Sequence, residues 1–315
     1  MVVRDLPDPT QKPIDLVAVL ILVFCCGLWG LQQVAVKVAV THGLPPLLQA
    51  AGRSLVAALL LVIWTGLRSG RRGLAAMLAI DRATPACLLI GAMFAAQFLI
   101  IFPGVKLTTA SRAVIFIYTS PFFTALGAHW LLPAERLGWR QALGLVVAFA
   151  GVAAAFSEGL GAGGGSVEGD ALCLLGGALW GATTVVVKAS PSLARVTVSR
   201  VLFAQLGYSA PIMLAVAAIA GQWHVDHPTP LAWAGWLYQT VVIAFLSYLV
   251  WFWLIQRHAA SRIAGFTFLT PLFGIVAGVV LLGEPFSPWI LAGLAAIAIG
   301  LRLLAAPAPR PAASR

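Results

Sequence analysis

Leu28-Trp29-Gly30, followed by Gln33 and Lys37, returns 151 residues later as Leu179-Trp180-Gly181, followed by Thr184 and Lys188. Each copy sets a Trp, a polar residue and a Lys at i, i+4 and i+8. On a helix these share one face, with a drift of about 80° over two turns. Both copies lie within long apolar runs, where an uncompensated polar atom is costly. A polar stripe repeated at half the chain length reads as equivalent parts of two halves that enclose something.

The surroundings decide the medium. Apolar residues make up 61% of the chain and charged residues 10%, against about 25% charged in a soluble domain, and the mean hydropathy is +0.96. Apolar runs near twenty residues recur from Leu16 almost to the C-terminus, which is the pattern of a polytopic all-α membrane protein. The short alternating strands of a membrane barrel are absent. A net charge of +10 does not make a nucleic-acid binder, because the basic residues stand singly at span ends and form no dense patch. There they set topology and meet lipid headgroups. Cys25, Cys26, Cys87 and Cys173 all sit in apolar segments, without metal-ligand or disulfide-framework spacing. They read as small packing residues, and nothing calls for a cofactor.

Ten spans are expected: Asp15–Val40, Pro46–Leu67, Thr84–Val105, Ala110–Leu132, Leu137–Phe156, Asp170–Ala189, Leu193–Ala220, Leu231–Gln256, Ser261–Leu282 and Pro288–Leu304. Residues 1–14 and 305–315 are tails, and Leu74–Ile80 suits the membrane surface. The fourth span is interrupted at Tyr118-Thr119-Ser120-Pro121. The Gly-rich stretch 157–169 separates a first half, 15–156, from a second, 170–304.

Further features recur in order. Arg53 corresponds to Arg200, Ala110-Ser111-Arg112 to Ala260-Ser261-Arg262, and Thr119-Ser120-Pro121 to Leu269-Thr270-Pro271. Glu135 corresponds to Glu284, and Gly144 and Gly151 to Gly293 and Gly300. Five spans per half is odd, so the second half enters the membrane from the opposite side. Placing both termini in the cytoplasm puts sixteen of the 20 Lys and Arg on the inner side. Only Lys106 and Arg112 then lie outside, with Lys37 and Arg53 inside or near the ends of spans. Inverted repeats are a recurring basis of alternating access to a central site.

These ordered duplications resemble the EamA family of the drug/metabolite transporter superfamily, over nearly the whole chain and in two copies. The resemblance rests on the Leu-Trp-Gly and Lys of spans 1 and 6 and the Arg of spans 2 and 7. It also rests on the Ala-Ser-Arg start and following Pro of spans 4 and 9, and on Glu135 and Glu284 before the Gly-spaced spans 5 and 10. It implies a ten-helix exporter or exchanger of small metabolites, often amino acids, with a central cavity. Pro133-Ala134-Glu135 departs from its counterpart Leu282-Gly283-Glu284.

The residues chosen for the cavity are Trp29, Gln33, Arg53, Gln97, Tyr118, Trp180, Thr184, Ser247 and Tyr248. Each has a competing role in helix packing. Lys37 and Lys188 point to opposite membrane faces, so they serve as cavity mouths or as anchors that snorkel. Arg53 is the costliest embedded charge, since a basic residue at a helix centre costs about 2.5–3.5 kcal/mol to insert. It needs a carbonyl, an anion or a wet cavity. Pro121 and Pro271 free backbone carbonyls and bend their helices. Gly177-xxx-Gly181 and Gly274-xxx-Gly278 permit close helix contact, and the seven-residue glycine spacing of spans 5 and 10 suits helix packing or a homodimer. Glu135 and Glu284 cap or position turns. No Asp or Glu sits deep in a span.

The function expected is alternating-access transport of a small polar metabolite such as an amino acid, in the cytoplasmic membrane. Aromatic rings hold its apolar part, Gln33, Gln97 and hydroxyls orient its polar groups, and Arg53 or Lys37 attracts a carboxylate. An exchanger of phosphorylated metabolites or nucleotide sugars is the second reading and requires several cations on one cavity. A membrane enzyme or a non-transporting receptor is the rival from another class, and no catalytic motif supports the enzyme.

Overall fold

The computed structural model describes residues 16–131, 138–140, 142–147, 150–151, 165–225, 227–255, 269–285 and 288–304. Every regular element among them is helical. The two tails, Pro133-Ala134-Glu135-Arg136, most of the Gly-rich linker, Asp226, Arg257 and Ala260-Ser261-Arg262 lie outside the described residues.

The first half comprises α1 (Leu16–Thr41), α2 (Pro46–Met77), α3 (Thr84–Leu107), α4 (Ala110–Ile117) and α5 (Ser120–Leu131), with further helical residues within 139–151. The second comprises α6 (Val167–Ala189), α7 (Val198–Ile219) and α8 (Pro230–Leu237), a π-helical stretch Tyr238–Ser247, then α9 (Tyr248–Ile255), α10 (Leu269–Leu282) and α11 (Pro288–Leu304). Seven stretches are long and apolar enough to cross a membrane: α1, α2, α3, Ala110–Leu131, α6, α7 and Pro230–Trp251. Leu269–Leu282 and Leu291–Gly300 are apolar but shorter. Of the ten expected spans, long parts of the fifth and ninth and the end residues Asp15, Leu132 and Gln256 of the first, fourth and eighth lie outside the described residues.

Helix starts follow local chemistry. The side chains of Thr109, Ser166, Thr197 and Thr229 accept from the backbone N–H of Arg112, Gly169, Arg200 and Ala232, satisfying donors that a first turn leaves open. The fourth span breaks at Tyr118-Thr119. The Thr119 hydroxyl donates to the Phe116 carbonyl at 2.6 Å, and Pro121, which has no N–H to give, stands second in α5. Pro271 stands third in α10; the backbone before Leu269, where its kink is expected, is not described.

The two Leu-Trp-Gly motifs perform the same packing task. A Cβ at Gly181 would lie 2.7 Å from the Phe123 Cβ and the Ser120 carbonyl, and one at Gly30 would lie 2.7 Å from the Phe273 Cβ and the Gly274 nitrogen. Phe123 and Phe273 each follow their proline by two residues. Thus α6 lies flush against the α4–α5 break and α1 against the matching point of α10. Gly177 completes the first contact, since a Cβ there would meet the Phe116 and Ile117 carbonyls at 2.8 Å. Gly144, Gly151, Gly293 and Gly300 are buried.

Two boundaries differ from expectation. The seventh span starts at Val198, where Thr197 caps it, and Leu193–Arg195 is a separate 3-10 turn before it. The second span does not stop at Leu67 but continues to Met77 through a kink at Gly70, whose φ is +59°. Beyond it the chain packs back, with Leu74 against Gly66 and the Thr65 hydroxyl 3.7 Å from the Met77 sulfur. Arg68, Arg71 and Arg72 stay exposed. Helices alternate in direction, giving the bundle a Lys37 end and an Asp81 end.

Candidate functional site

A cavity of about 220 Å³ lies where the two Trp stripes approach each other. Its aromatic lining is Trp29, Phe94, Phe98, Tyr118, Trp180, Tyr248 and Trp251; its polar lining is Gln32, Gln33, Gln97, Gln205, Thr183 and Thr184. Among the described residues, no charged side chain lines it. The volume falls below the roughly 300 Å³ at which drug-sized pockets begin, so it suits a metabolite.

The rings are fixed by one another. Trp29 packs edge-on against Trp251 with centroids 5.1 Å apart, and Tyr118 against Trp180 at 5.5 Å. These are favoured aromatic geometries. The Trp29 indole N–H donates to the Ser247 hydroxyl at 2.9 Å, and that hydroxyl donates to the Ile243 carbonyl at 2.7 Å. Ser247 therefore does not line the cavity but orients Trp29 from behind, at the end of the π-helical stretch, a geometry that recurs at functional sites. Tyr238, at its start, donates to the Leu28 carbonyl at 2.7 Å. Thr184 turns its hydroxyl to the Trp180 carbonyl at 3.0 Å, so it presents mainly its methyl and remaining lone pairs. The Gln33 and Gln97 Oε1 atoms are buried without a hydrogen-bond partner among the described residues. Such atoms are expensive unless something donates to them.

Arg53 lies outside the lining, behind Phe98, with its Cζ 4.0 Å from that ring's centroid. Lys37 is turned away as well. Its ammonium donates to the carbonyls of Val105, Lys106 and Thr108 at 3.1, 2.8 and 2.6 Å, capping the C-terminus of α3. Lys188 is exposed in the last turn of α6.

Around the Lys37 contact, polar groups converge on Thr108–Arg112. Arg112 pairs with Asp170 of α6, both almost fully buried, and the Thr108 hydroxyl donates to the same carboxylate at 2.6 Å. The Glu284 carboxylate accepts from the backbone of Ala110 and Ser111 at 2.6 and 2.9 Å and from the Ser111 hydroxyl at 2.5 Å, an anion at a helix N-terminus. Gly283, with φ +64°, makes this possible. It ends α10 with the Gly283 N–H on Val279 and the Glu284 N–H on Gly278, which aims Glu284 at α4. At the opposite end Arg200 holds Asp81 with two bonds of 2.7 Å and the Ala79 carbonyl at 2.9 Å. That pairing keeps the Asp81 carboxyl at about 2, below its usual 3.8.

A cavity of rings and amides between two packed repeats calls for comparison with known membrane proteins. The model of the EamA-like transporter family matches residues 16–157 and again 167–306. The chain belongs to this family. A *Bacillus subtilis* relative of the EamA-like chain, "Uncharacterized transporter YvbV", is 30% identical over 290 residues, covering 90% of each chain. A *Salmonella typhimurium* relative, "Probable amino-acid metabolite efflux pump", is 28% identical over 289 residues, covering 87% of this chain and 89% of that one. A solved crystal structure of 20% identity superposes with a TM-score of 0.60, over 90% of this chain and 94% of the other, a likeness of fold. With its apolar helices, EamA membership makes this an integral membrane transporter.

Sequence reasoning singled out Trp29, Gln33, Gln97, Tyr118, Trp180, Thr184 and Tyr248, which the structure brings to one cavity. It passed over Gln32, Gln205, Phe94, Phe98, Thr183 and Trp251. For Gln205, a lone amide inside an apolar span was a signal available from the start. The phenylalanines carry none, because in an apolar helix one Phe looks like another.

Proposed function

We propose that the protein exports or exchanges a small, net-neutral polar metabolite of the amino-acid class by alternating access. The observation that carries this reading is the cavity's chemistry, in which rings form the wall, amides supply polar contacts, and no charge from the described residues lines it. Rings take up an apolar side chain, and Gln33 and Gln97 accept from an ammonium or amide. The name of the *Salmonella typhimurium* relative points the same way. A phosphorylated substrate fits less well, because Lys37 is held by three carbonyls and no cation among the described residues lines the cavity. The distribution of basic residues orients the Lys37 end outward and both termini inward. In that orientation the Thr108–Arg112 junction is the closure on the outer side, and transport requires it to part while the inner side closes. The test is counterflow in proteoliposomes across the amino acids, their amides and sugar phosphates. Flux of an amino acid is expected; protein-independent leak for every compound would sink the proposal.

A further inference from the structure

Among the described residues, Arg53 is the most anomalous side chain. It is fully buried about two turns into α2, and none of its Nε, Nη1 and Nη2 atoms has a hydrogen-bond partner among the described residues. Phe98, at 4.0 Å, and Phe102, at 5.6 Å, offer ring faces, and cation–π attraction offsets part of the cost of burying a charge but supplies no acceptor. The other buried arginines are treated differently. Arg112 has Asp170, and Arg200, which corresponds to Arg53 in the repeat, has Asp81 and a carbonyl. A helical chain that finds carboxylates for these two leaves the third open.

What separates Arg53 from the cavity is one ring. Phe98 covers the guanidinium with one face and is itself part of the cavity lining. Tyr248, also in the lining, stands within electrostatic range of the same guanidinium. Gln97, next to Phe98 in α3, and Gln33 of α1 also line the cavity, each with an acceptor oxygen that has no donor among the described residues. The unmet demands are therefore complementary: a planar fork of donors behind the wall and two amide acceptors in front of it. An amino carboxylate satisfies both ends, and the guanidinium fork matches a carboxylate bidentately.

We infer that Arg53 is the carboxylate-binding residue of the substrate site, screened by Phe98 until the ring turns aside and admits the substrate. The inference rests on the transport reading above and names the substrate class, a free α-amino carboxylate as against its neutral amide. With Phe98 in place the cavity presents no charge, and with it displaced the cavity presents one cation to one anion.

The probes are the amino acids and their carboxamides, assayed by counterflow in proteoliposomes of the full chain. For each pair the acid-to-amide flux ratio is read in wild type, Arg53→Met, Arg53→Lys and Phe98→Leu. Wild type is expected to favour the acid by at least about tenfold, the worth of one hydrogen bond to a charged group. Arg53→Met, similar in length and neutral, brings the ratio to about one without lowering the ligand-free unfolding temperature, and Arg53→Lys restores part of it. Phe98→Leu raises the ratio, and it decides the matter should Arg53→Met fail to fold. Equal flux of acid and amide in wild type overturns the inference and leaves the transport reading intact. So does a preference that survives Arg53→Met, or a Phe98→Leu ratio that does not rise. A lowered unfolding temperature with unchanged preference assigns Arg53 a packing role. Absence of flux for every acid and amide removes the transport reading and this inference with it.

Discussion

Asp170→Ala strands the guanidinium of Arg112. Both side chains are almost fully buried, Arg112 Nε lies 3.1 Å from both carboxylate oxygens, and the Thr108 hydroxyl loses its acceptor. Removing one partner of a buried ion pair costs about 3–5 kcal/mol, mostly because the other charge stays behind. At roughly 2 °C per kcal/mol for a chain of this size, that lowers the unfolding temperature by about 6–10 °C. The protein supplies its own assay, because the thiols of Cys25, Cys26, Cys87 and Cys173 are buried; a thiol-reactive fluorophore labels them only as the bundle opens. The double variant Arg112→Met/Asp170→Leu replaces the pair with apolar volume and is expected to recover most of the loss, since a buried pair is often no better than well-packed hydrocarbon. A loss under about 1 kcal/mol for Asp170→Ala, or a double variant no better than the single one, would refute this reasoning.

Glycine packing gives an internal contrast within α1: Gly30→Ala forces a Cβ to 2.7 Å from Phe273 and Gly274, whereas Gly27→Ala meets nothing within 4 Å. The first should lower folded yield and unfolding temperature, and the second should leave them unchanged or raise them, as alanine is the better helix former by about 1 kcal/mol. Glu284→Ala opens the backbone donors of Ala110 and Ser111 and should cost about 1–2 kcal/mol in the same thiol assay. Asp81 is a carboxyl whose folded pKa is depressed from 3.8 to about 2. Its pairing with Arg200 therefore stabilises fully above pH 3.8 and is lost as pH falls through 2. Asp81→Asn should be less stable than wild type at neutral pH, and the gap should close across that acidic window in pH-dependent unfolding.

Much of the architecture was legible because the medium makes its rules severe. The break at Tyr118-Thr119 follows from proline and hydroxyl residues inside an otherwise apolar run, whereas the caps at Thr109, Ser166, Thr197 and Thr229 emerge only with the structure. The Trp stripes were legible as one face of a helix. Side-chain destinations were not. The spacing that places Ser247 near the middle of a span cannot tell that its hydroxyl is taken by Trp29 from a helix 218 residues away. Lys37 read as a cavity mouth or a snorkelling anchor, because the α3 carbonyls it caps become available only once α3 ends beside it. Arg53 was recognised as costly, but which ring would lie over it depends on the packing of α2 against α3. The extension of α2 to Met77 was missed because Gly70 reads as a terminus, whereas its positive φ only redirects the chain.

The π-helical stretch Tyr238–Ser247 makes the geometry of the cavity a matter of residue count. Each residue of an ordinary helix advances the azimuth by about 100°, and a wider turn takes in residues that would otherwise have rotated everything after it. Tyr248 and Trp251 reach the cavity because that surplus has been absorbed upstream of them. Deleting one residue between Thr240 and Leu246 removes the surplus and lets the stretch close to an α-helix with both rings still in phase, whereas inserting one adds a residue the turn has not absorbed and swings both rings about a quarter-turn out of place. The composition of the wall would be unchanged, but its phase would be wrong. For this segment the sign of a length change matters more than most substitutions, although it lies in a span where any apolar residue would serve.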